Sequence, residues 1–154
     1  MRQQRGFTMV ESLVALLVLA IGLLGIAALY LDSLRAGRTA IYRSQAVTLA
    51  ADLADRVRVN RSAVLAYQKA IGEDLVDPGV SCNDPASPCT AETVAELDLY
   101  AWWNTVVAAL PDGDAGVAVT APADPADPGI YVITIQWSDA GEDAPLVYEL
   151  RVEA

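Results

Sequence analysis

The chain has 154 residues, of which 54% are hydrophobic, with a net charge of −10 and no histidine. Its length allows one modest domain beyond an N-terminal segment. The acidic balance argues against nucleic acid as a direct ligand, because phosphate binding needs clustered Lys and Arg. Lack of histidine removes a principal zinc ligand and the commonest general base.

From Ser12 to Leu31, twenty successive residues carry no charge. At ~1.5 Å per residue in a helix they span ~30 Å, the thickness of a bilayer's hydrocarbon core. A secretory signal has a shorter apolar region, roughly 7 to 15 residues, before a small-residue cleavage site. Here the run stays Leu-rich to its end, with Tyr30 at the boundary, and reads as a retained membrane helix. Glu11 sits one step before the run, behind Arg2, Arg5 and Gly6. A carboxylate costs about 2.5 to 3.5 kcal/mol at the centre of a membrane helix and less near an interface. Glu11 therefore either reaches the headgroups or has a function.

The helical pattern continues past the membrane. No proline occurs from Asp32 to Ile71, and Ala, Leu, Arg and Gln dominate, all good helix formers. Ala46, Leu49, Ala50, Leu53, Ala54 and Val57 recur at the three-and-four spacing of one apolar face. One helix is predicted from about Phe7 to about Ala70, with a membrane half and an amphipathic half. Gly22, Gly25 and Gly37 are its weak points. Charge is divided along the chain. Residues Asp32 to Gly72 hold seven bases against three acids, a local +4, whereas Glu73 to Ala154 hold sixteen acids and Arg151 alone, a local −15. The acids read as surface solvation, the alternative being acidic heads that meet the basic stems of neighbouring subunits.

The next segment, "GEDLVDPGVSCNDPASPC", is a loop rich in Asp, Pro and Gly. Cys82 and Cys89 within it lack the CxxC spacing of a redox motif, and a zinc site needs four ligands. They read as a short-loop disulfide in an oxidising compartment such as a bacterial periplasm, the alternative being two structural thiols. A helix follows over Ala91 to Ala109, capped by Thr90 or Thr93, with Glu96 completing a Thr-x-x-Glu box from Thr93. Its expected buried face is Leu97, Tyr100, Ala101, Val107 and Leu110, joined by Trp102 or Trp103. "GVAVTA", "GIYVITIQW" and "PLVYELRV" read as strands. The expected fold is α+β: a long N-terminal helix packed on a small head with a second helix and a three-stranded antiparallel meander. "PDGDAG" offers Asp112 and Asp114, but an EF-hand loop needs a further oxygen ligand and a terminal Glu. A solvated turn is the expectation there, and no metal or other cofactor is expected.

No catalytic constellation is present. Neither a Gly-x-Ser-x-Gly elbow nor a P-loop occurs, so the chain is expected not to be an enzyme.

"RGFTMVESLVAL" resembles the N-terminal signal of type IV pilins and type II secretion pseudopilins. In that family a basic leader ends in Gly, a prepilin peptidase cuts after it, and the new N-terminal Phe is methylated, with Glu fifth in the mature chain. The resemblance makes Gly6 the leader end, Phe7 the methylated residue and Glu11 the fifth-position acid. It gives Glu11 the role of a registration charge that attracts the N-terminal amine of an adjoining subunit in a filament. Two opposite charges in a low-dielectric bundle attract strongly, while either alone is penalised. "ESLVALLVLAIGLLGIAAL", "AVTLAADLADRVRVNRSA", "LDLYAWWNTVVAALPDGDAGV" and "YVITIQWSD" are similar to the type IV pilus modification protein PilV family of minor pilins. Major pilins usually carry a helix-kinking Pro where Ala28 stands, and a C-terminal disulfide loop; both are absent.

The resemblance implies a leader at 1–6, a transmembrane or filament-core helix at 7–31, an amphipathic half at 32–71 and a periplasmic α+β head at 72–154. It implies a single-pass inner-membrane precursor that is built into a pilus. Expected partners are prepilin peptidase, other minor pilins, the major pilin, the inner-membrane assembly platform and membrane lipid, with no nucleic acid. The positive-inside count does not favour this orientation, since Arg35, Arg38 and Arg43 flank the far side. The periplasmic placement rests on the cysteines and the resemblance. Rival readings are a GspI-like minor pseudopilin of type II secretion and an adhesive or ligand-binding pilus-tip module.

Overall fold

The computed structural model describes residues 8–83, 88–122, 124 and 127–154. It divides into two units, Met1–Thr39 and Ala40–Ala154. Helix α1, Met9–Val59, contributes to both. In the first unit it is a lone helix, without a charged residue from Ser12 to Leu31. Leu13, Leu17, Leu24 and Leu29 are all more than half exposed. Its best 18-residue window has a mean hydropathy of 2.8 with none of it buried. Such a surface requires lipid or other helices around it. A Cβ at Gly22, Gly25 or Gly37 would meet nothing within 4 Å, and the helix runs unbroken through all three.

In the second unit α1 turns amphipathic. Ala46, Ala50, Leu53, Ala54 and Val57 are fully buried, as the spacing predicts, and Leu49 is half-buried at their edge. Helix α2, Ala91–Ala109, has the expected bounds. Thr90 is its cap: its hydroxyl accepts from the Thr93 N–H at 3.3 Å, satisfying one of the first-turn donors. The strands β1 (Asp114–Thr120), β2 (Ile130–Trp137) and β3 (Leu146–Glu153) form an antiparallel meander in the order β1-β2-β3. Tyr131, Ile133, Ile135 and Trp137 alternate into the core, the period-two pattern of a strand with one covered face. The result is the expected α+β arrangement of a long N-terminal helix, a second helix and a three-stranded antiparallel meander.

Two expectations are corrected. The long helix ends at Val59 and not near Ala70. At Asn60 the backbone leaves the helical region, and the side-chain amide donates to the Ala91 carbonyl at 2.7 Å and the Tyr67 hydroxyl at 3.3 Å. A 3-10 helix over Arg61–Tyr67 follows, with Ala63 non-helical inside it. Lys69 then pairs in extended form with Val117 of β1. Asn competes for backbone partners and gives up little by leaving a helix. The buried face of α2 is Ala95, Leu99, Trp102, Val106 and Leu110. Of the expected set Leu110 is buried, as is Trp102 of the two tryptophans offered; Leu97 and Tyr100 are half-buried, and Ala101 and Val107 are exposed. Trp102 decides the rotation, because its indole N–H donates to the Leu49 carbonyl at 2.8 Å while the ring is buried.

Candidate functional site

Gly6 and Phe7 lie outside the described residues; Glu11 lies within them. It occupies the third position of α1, and its backbone N–H donates to the Thr8 hydroxyl at 3.3 Å. The Ser12 N–H donates to the Thr8 carbonyl at 3.3 Å. Thr8-Met9-Val10-Glu11 is thus a Thr-x-x-Glu start signal, legible in the sequence but overlooked beside the charge itself. An acid in the first turn of a helix is favoured by the positive end of the macrodipole. Glu11 therefore has a favourable place within a single chain, at the edge of a surface that is otherwise apolar. Its side chain is exposed, free to meet a cation from another molecule.

Cys82 and Cys89 are joined in a disulfide, seven positions apart, in the segment that leads into the Thr90 cap. The pairing expected from the sequence is present.

A second charged centre was not anticipated. Lys69 is the buried cation of the second unit, at 2% exposure. Its ammonium donates to the Ala115 carbonyl at 2.7 Å and the Ala70 carbonyl at 3.0 Å, and lies 3.5 Å from Asp114 Oδ1. It also sits 5.4 Å from the centre of the Trp103 ring, a cation–π distance. Asp114, expected in a solvated turn, instead gathers donors. The Gly72 N–H reaches it at 2.6 Å, the Ala115 N–H at 2.7 Å and the Trp103 indole at 3.3 Å. Burial alone would raise its pKa, but these donors and Lys69 outweigh burial and hold the carboxyl below its usual value. Lys69, Gly72, Trp103 and Ala115 all present a donor or a cation to Asp114, which is chemistry for closing a loop. No group of three or more metal-binding acidic, thiol or imidazole side chains occurs among the described residues.

A smaller network ties α1 to α2. Arg56 donates to Asp98 at 2.8 Å and to Asp52 at 3.1 Å, and the Tyr67 hydroxyl donates to Asp98 at 3.2 Å. Burial opposes the Arg56 charge, yet the two carboxylates raise its pKa overall. The Tyr67 phenol is pushed up to about 12, first by burial and also by Asp98, against the Asn60 hydrogen bond. Both groups keep their ordinary protonation state at neutral pH. The network fastens the fold and holds no reactive acid or base. A surface groove of about 850 Å³ lies open beside Ser62, Val64, Glu92 and Gly129. With no histidine in the chain, Ser62 has no imidazole base to activate it.

Residues 1–27 match the family model of the prokaryotic N-terminal methylation motif, and residues 28–100 match the family model of type IV pilin Tt1218. Together these matches support a type IV pilin. The first covers Gly6, Phe7 and Glu11; the second starts inside the apolar half of α1 and ends inside α2. The three strands lie beyond both matches. No curated protein and no solved structure matches the chain.

Proposed function

We propose that the chain is a minor pilin of the PilV kind. It is made as a single-pass inner-membrane precursor, cut between Gly6 and Phe7, methylated on Phe7 and built into a type IV pilus. There it joins other minor pilins in a priming or tip complex that promotes assembly onto the major pilin. The observation that carries this reading is Glu11, exposed in the first turn of an apolar helix that has no protein cover, inside a methylation motif.

The physical logic has two stages. In the membrane, the positive end of the helix gives the first-turn Glu11 carboxylate a polar setting near the interface. In the filament, cleavage before Phe7 creates an amine, and Glu11 of a neighbouring subunit is the acid that meets it. The exposed leucines then exchange lipid for neighbouring helices, which costs little, and the charge pair selects the register. The disulfide and the two charged centres keep the C-terminal unit closed outside the membrane.

Intact mass of the protein from membranes with and without prepilin peptidase tests the processing. Loss of Met1 to Gly6 with gain of one methyl group, only when the peptidase is present, is expected. An uncleaved chain in both strains would remove the filament reading. Deletion of the gene in cells that still make the major pilin tests the priming role: pilus number falls while type II secretion continues. The reverse pattern would assign the chain to a secretion pseudopilus.

A further inference from the structure

The two edges of the sheet are treated differently. At the β1 edge the Lys69 segment exchanges both backbone hydrogen bonds with Val117, at 3.0 and 2.8 Å. At the other edge β3 has eight residues in continuous register with β2, and among the described residues no strand pairs with its outer side. It contains no proline, and its register shows no bulge. These are among the devices by which natural edges avoid pairing.

The direction of its free groups follows from the hydrogen-bond parity. Val117 points its N–H and C=O toward Lys69, so the alternation places Gly116 and Ala118 against β2, with partners Thr134 and Val132. Ile133 must then face β3 and its partner Leu150. The Gly129–Ala154 pair, which exchanges bonds at 2.8 and 3.0 Å, falls in the same phase. Val147, Glu149, Arg151 and Glu153 therefore direct their backbone groups outward, and all four side chains are exposed on the open face.

We propose that β3 pairs with β3 of a second copy, antiparallel and centred on Leu150. This interaction goes beyond the pilin reading and does not depend on it. In this register Glu149 lies opposite Arg151 of the second copy, and Arg151 opposite its Glu149. The four charges form an alternating square, with unlike charges at every side and like charges only on the diagonals. Val147 lies opposite Glu153. The outward backbone groups of Val147, Glu149, Arg151 and Glu153 all find partners, since the register joins like phases. A slip of two residues one way sets Arg151 against Arg151; the other way it sets Glu149 against Glu149. The sequence of β3 is thus complementary to itself in the register that pairs nearly the whole strand, and opposed to both neighbouring ones, which is the argument for a second copy over an unrelated strand.

The test uses the full chain in detergent micelles at ~0.15 M salt, where the Debye length of about 8 Å screens the long-range repulsion between acidic units. Glu149→Arg makes the square all positive, and Arg151→Glu makes it all negative. Each variant alone is expected to weaken the dimer at least about tenfold in sedimentation velocity, two attractive cross-strand pairs having turned repulsive. An equimolar mixture of the two sets unlike charges across the strands, both directly opposite and on the diagonals, and recovers the dimer. The α1 surface is the same in all samples. Association of every sample through that surface would overturn the proposal, as would a monomeric wild-type chain or a mixture that stays monomeric.

Discussion

Lys69→Met preserves the length and bulk of the side chain but removes its ammonium. Nζ then gives up two carbonyl acceptors, Ala115 at 2.7 Å and Ala70 at 3.0 Å, and the Asp114 carboxylate at 3.5 Å. Hydrogen bonds involving a charged group contribute about 1.5 to 3 kcal/mol each. The Ala115 carbonyl shares the outward phase of Val117, so β2 supplies no substitute donor. The buried thioether returns about 2 kcal/mol through apolar burial. The net loss expected is about 2 to 3 kcal/mol. Urea unfolding of the full chain in micelles, followed by tryptophan emission, measures it. Trp103 lies against both partners.

The pH dependence supplies a second readout. Asp114 is held below its usual pKa in the folded chain. Its contribution is therefore complete above the unfolded carboxyl value, about 3.9, and is lost as pH falls through the lower folded value. Lys69 is the smallest of the influences that lower the value, so without it the folded value rises only slightly, the Gly72, Ala115 and Trp103 donors still holding it down. The acid-side loss becomes smaller in total and ends at higher pH. A variant that loses less than about 1 kcal/mol would refute this account of the clasp.

Gly116→Ala places a Cβ 2.7 Å from Ile71 Cγ1, 3.1 Å from the Ile71 nitrogen and 3.2 Å from the Lys69 carbonyl oxygen. Because two of these atoms are backbone, the cost expected in the same assay is about 1 to 3 kcal/mol; an unchanged midpoint would show that the Lys69 segment yields freely. Thr90→Ala should cost about 1 kcal/mol while Thr93→Ala costs less, since Thr90 is the cap, and equal losses would contradict that assignment. Replacing Cys82 and Cys89 together by Ser opens a short loop and should cost up to about 2.5 kcal/mol on the chain-entropy scale; unfolding in reductant should then give the same midpoint for both chains. Glu11→Gln should leave peptidase cleavage intact but reduce incorporation into pili, scored by immunoblot of sheared filaments, whereas normal incorporation would show that the charge does not set the register.

What the sequence revealed follows the range of the interactions. The bounds of α2, the three strands and the inner face of α1 are periodic features of local chain, and residues such as Ala46, Leu53 and Val57 stand where their spacing puts them. The face of α2 was not legible, because apolar residues surround most of that helix and an indole bond to Leu49, 53 positions away, selects its rotation. The end of α1 was missed for a similar reason: Asn60 leaves the helix to donate to Ala91, 31 positions on. Lys69 and Asp114 are separated by 45 residues, and nothing in either neighbourhood marks them as partners. Around Glu11 the charge drew attention and the Thr8 cap did not, although both stand in the same four residues.

The Asp114 bond to the Gly72 amide reaches beyond the stability of the clasp. It pins the start of the stretch Glu73–Ser81, and the Cys82–Cys89 bridge leading into the Thr90 cap holds the far side. With both moorings fixed, the residues between can vary in spelling and in number while the framework beneath stays put. Doubling the length of a flexible loop costs only about 0.6 kcal/mol in closure entropy. Apart from Glu73, whose carboxylate accepts from the Ala70 N–H at 3.0 Å, and Leu75, which packs against the core, this stretch is therefore the place where descendants of the chain can change their outward appearance, and where an epitope or tag can be inserted, at least expense to the fold.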